Sequence, residues 1–181
     1  APGLFRLLSL SAYANSGAMP GERDGKLAAL GGNATDRALL SAFLPFGTPE
    51  YAVRARLPFD SARKFSAVRL RGAKAITLVK GAPEKILPAC HRYYDADGKV
   101  RDLQNRSKVS SAWNEMTGHA MRVLALAVSE TEVTERGEFS RLILVGLLGI
   151  RDEVRPHVKS AVCQVRKAGV QVVMITGDNK D

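Results

Sequence analysis

The stretch that decides the fold is Phe65-Ser66-Ala67-Val68-Arg69-Leu70-Arg71-Gly72-Ala73-Lys74-Ala75-Ile76-Thr77-Leu78-Val79-Lys80-Gly81-Ala82-Pro83-Glu84. It reads as two short strands, Phe65 to Leu70 and Ala75 to Val79, joined by Arg71 to Lys74. A short helix from Pro83 to Cys90 follows, with proline in the first turn, where its missing N–H costs nothing. Lys80 stands at a strand end with Gly81 behind it. A lysine so placed can project into a cleft beside backbone that approaches a ligand closely. Taken alone, residues 80–84 are better explained as an ordinary strand-turn-helix connection with a solvated lysine.

Immediately upstream, Tyr51 to Phe59 alternates, with Val53, Ala55 and Leu57 on one face and Arg54 and Arg56 on the other. It runs into Phe59-Asp60-Ser61-Ala62-Arg63-Lys64, which joins an aromatic ring to two cations where two strands meet. Adenine can stack on a phenylalanine while lysine and arginine neutralise phosphates. A core ring beside a basic turn is the plainer alternative.

Further out, Leu4 to Ala14 has helical spacing, and Ser16 to Gly32 reads as a glycine-studded loop. Asn33 is an N-cap for a helix to about Phe43. Asp36 takes the third helical position, where a carboxylate can reach back to the cap. Tyr93 to Val100 is a hairpin turning at Asp97-Gly98. Its Asp95-Ala96-Asp97-Gly98 lacks the later ligands of a calcium loop, since Lys99 and Arg106 stand where oxygen ligands belong. Asn105 to Met121 is a helix, and Val123 to Ser129 and Leu142 to Ile150 are strands. The second of these is apolar throughout and reads as buried on both faces.

From Pro156 the pattern changes. A helix stopped by Gly169 leads to a strand, Val170 to Ile175, and then to Thr176-Gly177-Asp178-Asn179. A polar loop at a strand's carboxyl end is where doubly wound sheets hold ligands. There the Thr176 hydroxyl can donate to a phosphate and Asp178 can order Mg²⁺ or the closing geometry. An N-cap for a following helix is the plainer alternative and is compatible with binding. The expected fold is α+β: a mostly antiparallel sheet flanked by helices over residues 1–150, then a short α/β segment over 151–181.

The 181 residues carry 27 Lys+Arg against 18 Asp+Glu, a net charge of +9, and the pI is near 9.9. That excess points to an anionic partner. The balance of 45% hydrophobic and 25% charged residues is that of a globular chain. The longest apolar run, Leu142 to Ile150, is about half the ~20 residues of a membrane helix. No basic region precedes an apolar stretch at Ala1 to Arg6, so no signal peptide is expected. Cys90 and Cys163 form no C-x-x-C pair, and His91, His119 and His157 form no metal-binding spacing, so two reduced thiols and no metal site are expected. Neither a Walker-type phosphate loop nor a Gly-x-Ser-x-Gly elbow occurs.

Six segments appear in a particular order: Gly32 to Leu40, Phe59 to Lys64, Lys80 to Glu84, Arg122 to Ala127, Gly149 to Pro156 and Met174 to Asn179. This order resembles the cytoplasmic nucleotide-binding domain of P-type cation-transporting ATPases of the calcium-pump-like class. The resemblance implies ATP as ligand, with Mg²⁺ accompanying it in the whole protein. It makes Phe59 the ring under adenine, with Lys64, Lys80 and Gly81 lining that pocket and Arg63 beside it. Asp36 stands where the family usually has glutamate on the adenine side. Ser61 stands where animal muscle pumps have a second arginine. Arg122 matches the arginine that reaches the phosphates on closure. Asp152 and Arg155 match the hinge, and Thr176, Gly177 and Asp178 match the phosphorylation-domain loop that meets the γ-phosphate.

The family's phosphorylated aspartate, in Asp-Lys-Thr-Gly-Thr, would precede Ala1, and its magnesium motif would follow Asp181. The chain is therefore expected to be a piece that binds ATP without turnover, with affinity on the order of 0.1 to several mM. The intact protein would couple ATP hydrolysis, through an aspartyl-phosphate, to cation transport. Its partners would be the remaining phosphorylation, actuator and transmembrane domains and the transported cation, calcium by class. Its membrane would be the plasma (inner) membrane.

A basic nucleic-acid-binding module is the alternative that needs only the charge. Aromatic residues are 6%, no RNP-like, KH or zinc-finger pattern occurs, and the cations are scattered, so nucleic acid is not expected as a partner. A free-standing dehalogenase-type phosphatase would need an apolar strand before Asp-x-Asp, and His91-Arg92-Tyr93-Tyr94 is not one.

Overall fold

The computed structural model describes residues 2–72, 75–132, 139, 141–151, 156–173 and 175. The chain forms two compact units, Ala1–Ile150 and Arg151–Asp181. The first begins with helix α1 (Pro2–Ala14), hairpin strands β1 (Ala18–Arg23) and β2 (Lys26–Gly31), and helix α2 (Ala34–Phe43). Then come β3 (Val53–Asp60), β4 (Phe65–Leu70), β5 (Thr77–Gly81), α3 (Pro83–Ile86), β6 (Cys90–Tyr94) and β7 (Val100–Asp102). The unit closes with α4 (Arg106–Gly118), β8 (Arg122–Ser129) and β9 (Leu142–Ile150).

Strands β3 to β9 form one seven-stranded sheet in the order β3-β4-β5-β8-β9-β6-β7. Every neighbouring pair is antiparallel except β6 with β9. This is the expected α+β architecture with a mostly antiparallel sheet. Side chains alternate across it, because successive residues of a strand point to opposite faces. Val68, Leu78 and Leu126 meet Leu10 and Ala14 of α1 on one face. Ala67, Val79, Ala125 and Leu144 meet Ile86 of α3 on the other, with Val109 of α4 packed against them. A third cluster joins Tyr13, Ala18, Ala29, Leu39, Leu40 and Phe43, seating the hairpin and α2 beside α1. Fully burying a leucine such as Leu40, Leu78 or Leu126 contributes about 1.5–3 kcal/mol.

The structure corrects several expectations. Residues 16–32 are not a loop but the β1–β2 hairpin, turning at Asp24-Gly25. Both turn residues have positive φ, +54° and +71°, as a type I′ hairpin turn requires. The second hairpin turns differently. The Gly98 N–H bonds the Asp95 carbonyl at 2.9 Å, and of its turn residues only Gly98 has positive φ, so the turn is Asp95 to Gly98 rather than Asp97-Gly98 alone. The helix at Pro83 stops at Ile86 and tightens to a 3-10 turn over Leu87–Ala89, because Pro88 has no N–H to continue an α-helix. Strand β5 runs two residues further than expected, carrying Lys80 and Gly81 into the sheet. Only Leu142 to Val145 of β9 are buried; the rest of the strand is partly exposed or open.

In the second unit, α5 (Val158–Lys167) is followed by Gly169 at φ +78°. Residues 170–173 and 175 form no strand, since among the described residues no neighbour supplies the ladder that defines one.

Candidate functional site

A cleft of about 810 Å³ opens where α1 ends, α2 begins and the β3–β4 turn passes the β5 and β8 ends. Ligand pockets run to roughly 300–1,000 Å³, so the space suits a nucleotide-sized molecule. Its walls include Asn15 to Gly17, Gly32 to Asp36, Arg56 to Phe59, Ser61, Lys64, Lys80 to Ala82 and Arg122 to Leu124. Among the described residues, four cations line it (Arg56, Lys64, Lys80 and Arg122) against one carboxylate, Asp36.

Phe59 reaches the cleft through an irregular strand. Between Leu57 and Asp60, β3 has one residue more than β4 opposite, which is a bulge. Pro58 lies inside it, tolerated because β3 is the edge strand. The bulge turns Phe59 out of the core, leaving it 58% exposed on the cleft wall. An open aromatic face on an apolar wall is a stacking surface.

The turn that follows holds its own geometry. The Asp60 carboxylate accepts from the Ala62 and Arg63 N–H groups at 3.0 and 2.9 Å. The Arg63 N–H is the leading reason that the Asp60 carboxyl lies below its ordinary pKa. The Lys64 N–H closes the turn on the Asp60 carbonyl at 2.7 Å, with Lys64 itself at φ +60°. That conformation costs a non-glycine residue about 1 kcal/mol. The Lys64 ammonium pairs with Glu84 Oε1 at 3.0 Å. Burial pushes the Glu84 carboxyl up, but its own backbone N–H and the Lys64 bond and charge prevail, so it titrates below its ordinary value.

Lys80 and Asp36 form a buried ion pair at 2.5 Å, with residue exposures of 5% and 8%. Burial lowers the Lys80 pKa, and the bond and charge of Asp36 offset part of that. The other Asp36 oxygen accepts the Gly17 N–H at 2.9 Å. Asn33 caps α2 by accepting the Asp36 N–H at 2.8 Å, as expected. The Asp36 carboxylate reaches back to the cap through the Asn33 side chain, whose Nδ2 donates to Asp36 Oδ2 at 3.4 Å, rather than through the Asn33 backbone. It faces the cleft floor, because Lys80 and Gly17 converge there.

Of the other residues singled out, Arg122 lines the cleft and donates from Nη1 to Thr35 Oγ1 at 3.2 Å. Gly81 also lines it, but the close approach it permits is to protein. A Cβ there would collide with the Lys64 carbonyl and the Phe65 side chain. Arg63 is not among the lining residues; its Nη2 donates to the Pro58 carbonyl at 3.1 Å. Asp152, Arg155, Thr176, Gly177 and Asp178 lie outside the described residues.

Sequence reasoning missed Asn15 to Gly17, Gly32 to Thr35 and Arg56 as walls of this cleft. The signal was Asp24-Gly25, a two-residue hairpin turn whose strands bring Gly17 back beside Gly32. That approach is tight: a Cβ on Gly32 would stand 2.6 Å from the Ala18 nitrogen. Among the described residues no three His, Cys, Asp or Glu side chains group to hold a metal ion. The cleft's carboxylate is already taken by Lys80, so these residues do not fit a resident Mg²⁺.

Known proteins match this chain closely. The family model described as P-type ATPase, cytoplasmic domain N, matches residues 3–157. A calcium-transporting ATPase of Yarrowia lipolytica is 37% identical over 159 residues, covering 82% of this chain and 17% of its own. One of Bacillus subtilis is 33% identical over 172 residues, covering 87% and 19%. A plasma-membrane-type calcium-transporting ATPase of Oryza sativa is 35% identical over 167 residues, covering 82% and 16%. The chain thus spans less than a fifth of the length of these relatives.

Proposed function

The chain belongs to the P-type ATPase cytoplasmic N-domain family, and on that premise we propose that its cleft binds ATP. The observation that carries the reading is the open ring of Phe59 in one cleft with Lys64, Lys80 and Arg122. Adenine stacks on Phe59, and the apolar wall excludes water around it. Lys64 and Arg122 hold phosphate oxygens with charge-assisted bonds. Lys80 keeps Asp36 on one ammonium proton and offers its others to the ligand. Asp36 and Gly81 act mainly by shaping the floor, and Arg63 adds positive potential from outside it.

The whole protein, in this reading, couples ATP hydrolysis through an aspartyl-phosphate to cation transport, and the relatives' names favour calcium. Mg²⁺ would accompany the nucleotide's phosphates, since the described cleft residues offer no site for it. Residues 1–150 are the nucleotide-binding domain. Residues 151–181 supply the hinge, with Asp152 and Arg155, and the phosphate-facing loop Thr176-Gly177-Asp178 of the phosphorylation domain. Hinge closure would carry the bound phosphates to that domain, a positioning task. The remaining phosphorylation, actuator and transmembrane domains of the same protein are its partners. This chain is a cytoplasmic part of an integral membrane protein of the plasma membrane. Among the described residues no helix is long and apolar enough to cross a membrane.

Titrating ATP into the ¹⁵N-labelled chain tests the assignment. Amide shifts at Phe59, Lys64 and Lys80 should saturate with a Kd on the order of 0.1 to several mM. No movement at these three in millimolar ATP removes the proposal. Shifts caused instead by DNA or RNA, weakening steeply with salt, would favour the basic-module reading.

A further inference from the structure

Lys64 ends the turn that follows Phe59 and lines the cleft, and it already has an anion. Glu84, in the first turn of α3, holds its ammonium at 3.0 Å. Lys64 lines the cleft and Glu84 does not, so the carboxylate draws the cation from outside the ligand space. Both side chains are about half exposed, at 51% and 43%, so the bond can exchange with solvent or with another anion. Two backbone features keep the partners facing each other. Lys64 is fixed at φ +60° by its N–H bond to Asp60, and the Ala82 N–H bonds the Lys64 carbonyl at 2.9 Å, tying the turn to the start of α3. The depressed pKa of Glu84 agrees with a carboxylate kept charged by this neighbour.

Resting on the ATP reading above, we propose that Glu84 competes with the nucleotide's phosphates for Lys64 and so holds down the cleft's affinity for charged nucleotides. A phosphate that binds Lys64 must first break the Lys64–Glu84 pair, whereas stacking on Phe59 leaves it intact. Glu84 therefore sets how much each added phosphate contributes to affinity. Weak ground-state binding leaves more of the phosphate interaction to be realised when other groups complete the site. Glu84 touches the cation and not the ligand, so it is a positioning residue.

Calorimetric titration of the chain with ATP and with adenosine tests this. The proteins compared are the wild type, Glu84→Gln, Lys64→Met and the double variant. Glu84→Gln should tighten ATP about two- to fivefold, the worth of an exposed ion pair. Adenosine affinity should stay unchanged, and the gain should vanish in the Lys64→Met background. ATP affinity unchanged or weakened in Glu84→Gln, with wild type binding normally, overturns the competition and leaves the ATP reading standing. A gain that persists without Lys64 also overturns it, since the carboxylate would then act through Lys85 or by general repulsion. A wild-type chain that binds neither ligand removes the ATP reading and this proposal together.

Discussion

Lys80 illustrates why a residue's type alone does not assign its role. A lysine at a strand end suggests an exposed ligand contact, yet this one is buried against Asp36. Removing one partner of a buried pair strands the other charge, which costs about 3–5 kcal/mol. Lys80→Met should therefore lower unfolding free energy by about that amount in urea titrations, and Lys80→Met with Asp36→Leu should recover most of the loss. A single-variant loss under about 1 kcal/mol would mean the pair is not structural. It follows that weakened ATP binding in a Lys80 variant is interpretable only beside its stability.

Cys90 makes a second prediction at this scale. Burial pushes its thiol up to about 12, against the Arg106 charge, and Sγ bonds the Ile86 carbonyl at 3.3 Å. Above the ordinary thiol value the unfolded chain releases this proton and the folded chain keeps it. Stability should thus be intact below pH 9 and fall toward pH 12, by up to about 1.4 kcal/mol per pH unit from this group. Cys90→Ala should remove that share of the alkaline slope. Iodoacetamide at pH 8 should label the exposed Cys163 and spare Cys90 until urea is added.

At the scale of elements, the β3–β4 turn and the end of β5 form one unit. Gly81 lies against Lys64 and Phe65 with no room for a methyl group. Gly81→Ala should cost about 1–3 kcal/mol by overpacking and displace the Lys64 turn, weakening ATP binding without removing a ligand contact. Full wild-type stability in thermal unfolding would show that β4 and β5 can separate there. Strands β4, β8 and β9 and helices α1, α2 and α4 were legible in the sequence. Each is a periodic or continuous apolar run bounded by turn or cap residues. The β1–β2 hairpin was not read, because Pro20 and Gly21 interrupt its first strand and hide the strand signal on which an Asp-Gly turn depends. The end of β5 was misplaced because Lys80 and Gly81 look like solvent-facing punctuation. The burial of Lys80 depends on Asp36, 44 positions away, and that of Gly81 on Lys64 and Phe65.

At the scale of the whole molecule, the three core clusters found among the described residues draw only on residues within 1–150. A chain ending at Ile150 should therefore fold cooperatively, keep its urea midpoint and keep the ATP-dependent shifts at Phe59. Loss of folding on that truncation would overturn the division of labour proposed for 1–150 and 151–181. By itself the sequence determined the α+β class, most of the elements and the ordered segments that mark the family. These depend on local periodicity, caps and motif spacing, which are written into consecutive residues. Only the tertiary structure decided the strand order β3-β4-β5-β8-β9-β6-β7, the exposure of Phe59 and the pairing of charges. Lys80 meets Asp36, Lys64 meets Glu84 and Arg122 meets Thr35 only once distant segments share a sheet end. A cation's partner is set by distance in space, and 27 Lys and Arg residues offer many candidates that sequence order cannot rank.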